Sequence, residues 1–157
     1  MLAEGGCTCG KVRYRLASEP IVVHCCHCRS CQRETGASFA LNAVIETARV
    51  ELLGTAPERI DTPSDSGKGQ AILRCPQCEV AVWSHYAGGG DKAAFIRVGT
   101  LDQPDNCPPN VHIFTRSKQP WVVIPDEAEA YTIFYSGEDV GRIYGADGAA
   151  RWAALRG

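Results

Sequence analysis

The sequence predicts a single, mainly β domain with little helix. Three observations carry this. The chain has 157 residues, 45% of them apolar, which suits one core. Its apolar residues fall in short runs that alternate with polar residues or are β-branched. Helical periodicity is confined to two brief stretches.

The strands are read in order. Val12 to Leu16 alternates apolar and basic residues, as a half-buried strand does, and Ile21 to Cys25 is a β-branched run after Pro20. Ser38 to Ile45, Arg49 to Leu53 and Gln70 to Arg74 continue the pattern. Val80 to Tyr86 and Ala93 to Val98 flank Gly88-Gly89-Gly90-Asp91, a hairpin turn signal. Val111 to Thr115 and Tyr131 to Tyr135 are further strands, and Trp121 is expected in the core. The helices are Arg29 to Thr35, closed by Gly36, and an Ala-rich tail from Asp147, its N-cap, to Arg156.

Sixteen Lys and Arg against eighteen Asp and Glu give a charge of −2, which argues against a strongly basic nucleic-acid binder and a polybasic membrane-surface protein. No apolar run is long enough to span a bilayer. The stretch Met1 to Cys7 lacks the basic and apolar regions of an export signal, so a cytoplasmic location with reduced thiols is expected. In that setting nine cysteines point to metal or catalysis rather than disulfides.

The cysteines are grouped. Cys7 and Cys9 form C-x-C, and Cys75 and Cys78 form C-x-x-C. If Cys7 and Cys9 lie in a strand they share a face, and with Cys75 and Cys78 they compose a closed four-thiolate site suited to structural zinc. The second group reads His24-Cys25-Cys26-His27-Cys28-Arg29-Ser30-Cys31. In an extended chain His24, Cys26 and Cys28 share one face, and Cys25 and His27 take the other. Cys31, on the helix, folds back beside Cys28, so that Cys26, Cys28 and Cys31 converge, with Arg29 and Arg33 favouring their ionised form. Three protein ligands with an open position are the pattern of a catalytic zinc; closure by His24 or Cys25 is the alternative.

Together these residues resemble the glutathione-dependent formaldehyde-activating enzyme family, whose domain also occurs in centromere protein V. The matching stretches are Gly6-Cys7-Thr8-Cys9-Gly10 with Val12-Arg13-Tyr14, and Cys26 to Arg33 with Thr35-Gly36-Ala37. Cys75-Pro76-Gln77-Cys78, Gly99-Thr100-Leu101-Asp102 and His112-Ile113-Phe114 through Ser117-Lys118 to Pro120-Trp121 follow. The resemblance implies several coiled antiparallel sheets around zinc sites, an Mss-four-like fold with little helix, shared with R-type methionine sulfoxide reductases. It implies a structural zinc at Cys7, Cys9, Cys75 and Cys78 and a catalytic zinc at Cys26, Cys28 and Cys31. The implied reaction is a carbon–sulfur lyase run in reverse, joining glutathione or a small thiol to formaldehyde. Arg29, Arg33 and Lys118 then hold the carboxylates, and His112 offers a proton shuttle, with a structural role as its alternative.

Two features depart from the pattern: Glu79 stands where the second knuckle usually has Gly, and Cys25 doubles the single Cys of the second cluster. The expected organisation is a zinc-binding domain over 1–125, with 126–157 packed on it as an extension. For the extension, covering the site, forming a homodimer contact and neither role all stand open. Two other functions also stand open: a zinc-stabilised binding module without catalysis, and a thiol redox enzyme of the sulfoxide-reductase type using Cys25 or Cys107.

Overall fold

The computed structural model describes residues 3–157; Met1 and Leu2, which open the stretch read against an export signal, lie outside them. Among the described residues, ten strands form two sheets. The small one has the order β1 (Ala3–Gly6), β2 (Arg13–Leu16), β5 (Val50–Leu52). The large one runs β10 (Val111–Ile113), β3 (Val22–Cys26), β4 (Ala40–Glu46), β9 (Ala93–Arg97), β8 (Ala81–Tyr86), β7 (Gln70–Arg74), β6 (Glu58–Thr62). The mainly β expectation holds. All the pairings between these strands are antiparallel except that of β10 with β3, which is parallel and reached by a long connection.

Two apolar clusters sit on the two faces of the large sheet. Tyr14 and Leu16 of the small sheet meet Val23, Ala43, Ile45, Trp83 and Ile96 on one face. Val22, Cys26, Val44, Val111 and Ile113 form the other, covered by Tyr135 and Ile143 of the tail. Strand β3 is therefore buried at all five positions, which explains its continuous apolar character. Strand β1 reads Ala-Glu-Gly-Gly and carries no strand signal in sequence. Its place depends on close approach: a Cβ on Gly5 would lie 2.5 Å from the Thr100 carbonyl and 2.6 Å from the Tyr14 hydroxyl.

Helix α1 (Arg29–Thr35) has the expected bounds; Gly36 closes it at φ 68°, and the Cys28 sulfur caps its start by accepting from Cys31 N–H. The tail differs from expectation. Tyr131 to Tyr135 is no strand: Ala130 alone bridges to His112, and Tyr135 turns into the core. Helix α2 (Val140–Arg156) begins earlier than expected and breaks at Gly145, whose φ of 70° is non-helical. Asp147 is thus no cap; its carboxylate faces Arg151 one turn on. Trp121 is 69% exposed rather than in the core.

Arg151 fastens the second limb of α2 to the large sheet. Its guanidinium makes two hydrogen bonds to Glu46 of β4, at 2.9 and 2.6 Å, and also reaches the Ser18 hydroxyl and the Glu19 carbonyl. Both side chains of the ion pair are only 13% exposed. The pairing holds the Glu46 carboxyl below its ordinary value of 4.5, because Arg151 hydrogen-bonds the charged form.

The β7–β8 turn holds Cys75 and Cys78 as a knuckle, closed by Cys75 N–H to the Val80 carbonyl and Glu79 N–H to the Cys75 carbonyl. Glu79 has φ 61°, the left-handed region that favours glycine. The departure noted in sequence therefore carries a backbone cost.

Two measurements check these points. Arg151→Ala should lower unfolding free energy by about 2 kcal/mol in urea denaturation near neutral pH. A depressed carboxyl pKa stabilises above its unfolded value and stops doing so as pH falls through the folded value, so the gap should close well below pH 4.5. Glu79→Gly should raise the thermal midpoint, by about 1 kcal/mol of relieved strain.

Candidate metal centre

The first four-cysteine set assembles from two turns. Cys7 and Cys9 lie beyond β1 in a turn closed by Gly10 N–H to the Cys7 carbonyl, so they converge through a knuckle and not through strand parity. They meet the β7–β8 knuckle, and the sulfurs of Cys7, Cys9, Cys75 and Cys78 lie within 4.8 Å of one another. Cys7 to Cys9 is 3.5 Å and Cys9 to Cys75 is 3.6 Å. A tetrahedral ion with sulfur ligands near 2.3 Å sets edges of about 3.8 Å, so the set is close to the right size. Backbone N–H groups of Val12 and Gln77 donate to the Cys7 and Cys75 sulfurs. Burial pushes the Cys7 thiol up, yet the Val12 N–H and the neighbouring thiols outweigh it and bring it down to about 6.

The second set lies on the tail-covered face of the large sheet. Cys26 ends β3, Cys28 continues in extended geometry, and Cys31 folds back from α1. Their three sulfurs are within 4.8 Å, and no fourth His, Cys, Asp or Glu donor among the described residues joins them. His24 shares this face, but its Nε2 is 2.7 Å from the Tyr135 hydroxyl. Hydrogen bonds from the thiols of Cys26 and Cys31 draw Cys28 down to about 2, while Cys26 moves strongly upward.

A residue that the sequence reading missed completes this face. Arg97 of β9 is 7% exposed, and its guanidinium donates to Asn42 Oδ1 at 2.6 Å and to the Ser84 hydroxyl at 3.1 Å. Neither partner is a carboxylate, and its Nε has no partner. The hydrogen bond from Cys26 and the Arg97 charge both lower the Cys31 thiol, but Cys28 and burial outweigh them and leave it raised to about 11. A buried cation is costly unless an anion faces it, and the cysteine trio on this face can supply one when ionised. A charged residue within Phe95-Ile96-Arg97-Val98 was the available signal. Arg97 also lines a hollow of about 430 Å³ with Glu34 and Thr35 from the end of α1, which is room for a small molecule.

The other expected site residues are spread out. Arg29 and Arg33 lie on the exposed face of α1, where Arg29 bonds Gln32. The Lys118 ammonium is held by the carbonyls of Gln119 and Val122. His112 pairs in register with Cys25, so it points to the opposite face of the sheet from Cys26 and Cys28. Arg13 is matched by Asp102, at 2.7 and 2.5 Å, and Arg74 by Glu34. Cys25 and Cys107 are both pushed upward by burial, Cys25 to about 12, which is the reverse of what an attacking thiol needs. Among the described residues no helix is long and apolar enough to cross a membrane.

A "Putative glutathione-dependent formaldehyde-activating enzyme" of Halomonas elongata is 27% identical over 129 residues, covering 79% of this chain and 82% of that protein. A crystal structure of a Rhodobacter sphaeroides protein overlaps with a TM-score of 0.48 at 16% identity, covering 63% of this chain and 87% of that one. Residues 2–117, with both four- and three-cysteine sets inside them, match the family described as glutathione-dependent formaldehyde-activating enzyme, and the chain belongs to that family.

Proposed function

We propose that the protein joins the thiol of glutathione to formaldehyde, the reverse of a carbon–sulfur lyase reaction, at a zinc ion held by Cys26, Cys28 and Cys31. A second zinc at Cys7, Cys9, Cys75 and Cys78 ties the two knuckles together. The carrying observation is the convergence of three thiols that no fourth described His, Cys, Asp or Glu joins, beside a buried guanidinium that donates to the neutral Asn42 and Ser84. The donor chemistry fits: sulfurs spaced near a tetrahedral edge in the four-cysteine set and within 4.8 Å of one another in the trio, with N–H groups aimed at sulfur in both.

In the reaction a carbon–sulfur bond forms, and the carbonyl oxygen takes the proton that the thiol gives up. Zinc bound at the three cysteines supplies a lowered thiol pKa, which raises the thiolate fraction near neutral pH. The chain's residues do the rest. Cys31 N–H donates to Cys28 Sγ at 3.3 Å and fixes that ligand's direction. Arg97 offsets the one negative charge by which three thiolates exceed a divalent ion. Arg29 and Arg33, exposed on the helix beside the site, hold the glutathione carboxylates. With Lys118 committed to main-chain carbonyls, those two arginines are the stronger partners.

Two tests apply. Cys28→Ser should stay folded, lose one zinc equivalent relative to the natural chain, and lose glutathione–formaldehyde condensation, read by proton NMR, by about two orders of magnitude or more. A folded variant that has lost that zinc and still turns over would sink the proposal, as would two equally inert ions that excess glutathione cannot release. Arg97→Met should weaken retention of that same ion by about 10–100-fold in chelator competition and leave the four-cysteine ion in place.

A further inference from the structure

A third donor cluster lies across strand β3 from the cysteine trio. Cys25 and His27 point to the small-sheet side, and His112 of β10, in register with Cys25, joins them there. Cys25 Sγ is 3.5 Å from His27 Nε2, and His27 Nε2 is 3.1 Å from His112 Nδ1. All three donor atoms lie within 4.8 Å, drawn from β3, the stretch just past its end, and β10.

We propose that Cys25, His27 and His112 form a third metal site, which takes a borderline divalent ion of the zinc class. Around a tetrahedral ion with sulfur near 2.3 Å and nitrogen near 2.0 Å, sulfur–nitrogen edges are about 3.5 Å and nitrogen–nitrogen edges about 3.3 Å. The observed separations match both. Two imidazoles and one thiolate are the donor mix that zinc accepts.

The surroundings suit a held ion. Cys25 is 1% exposed and His27 is fully buried, with Phe39 edge-on to its ring at 5.5 Å. The His112 side chain is partly exposed, which gives an ion a way in. No other described His, Cys, Asp or Glu joins the three, so the fourth corner is left to water or a small ligand. The site shares no ligand with either cysteine set.

The test is a metal count on the full chain, purified with zinc and desalted. The natural chain should hold about three zinc ions, with Cys25→Ala and His112→Ala each holding one fewer and Cys107→Ser unchanged. Cadmium-113 NMR gives a second readout that does not depend on folding yield. Three resonances are expected, one at the position of a single-sulfur, mixed-nitrogen ligand set, and that one alone should vanish in Cys25→Ala. Equal counts in the natural chain and in both variants would overturn the third site, as would a spectrum with sulfur-rich resonances only. Those outcomes leave the two cysteine sites standing. Loss of an ion in Cys28→Ser but in neither Cys25→Ala nor His112→Ala likewise separates the two proposals.

Discussion

The pleat of strand β3 is the constraint on which the rest of the site depends. A strand buried along its whole length sends neighbouring residues into different interiors. The run from His24 to Cys28 is sorted accordingly. His24, Cys26 and Cys28 face the tail, while Cys25 and His27 face the small sheet. Residues adjacent in sequence therefore serve separate donor groups, and a slip of one position would exchange them. The register is pinned on both sides, by Cys26 against Ala40 in β4 and by Cys26 against Ile113 in β10.

Much of this was legible in the sequence because ligand spacing and strand parity are local. The convergence of Cys26, Cys28 and Cys31 followed from an extended segment running into a short helix, and Gly36 marked where that helix stops. For Cys7 and Cys9 the partners were legible but the local geometry was not: a turn brings them together where a strand was expected. Other elements had no local signal. Strand β1 depends on a backbone approach to Thr100, far along the chain. Strand β6 is a charged edge, exposed at four of five positions, the character that keeps a sheet edge from pairing with other chains. The aromatic run Tyr131 to Tyr135 had the composition of a strand, but its rings pack: Phe134 and Tyr135 both lie 5.7 Å from the His24 ring.

The tail shows how a few polar contacts position an otherwise weakly amphipathic helix. Gly145 breaks α2 so that its second limb can lie against the sheet. Gly148 lets that limb approach closely, since a Cβ there would come within 2.8 Å of the Ile21 carbonyl. Arg151 then fixes the limb to β4, the strand that neighbours β3. The same helix sends Ile143 into the cluster that contains Cys26 and Cys31. Tail docking and the wall of the cysteine trio are thus one packing problem.

The knuckle pair also has a consequence for biosynthesis. Cys7 and Cys9 leave the ribosome well before the β7–β8 turn that supplies Cys75 and Cys78. At about 5–20 residues per second, the first two thiols wait on the order of seconds for their partners. Strand β1 waits longer still, since its bridge partner Leu101 is made later. During translation the three-stranded small sheet therefore carries two thiols whose partners are not yet made. A nascent chain in an oxidising or metal-rich environment is most exposed to mispairing in that interval.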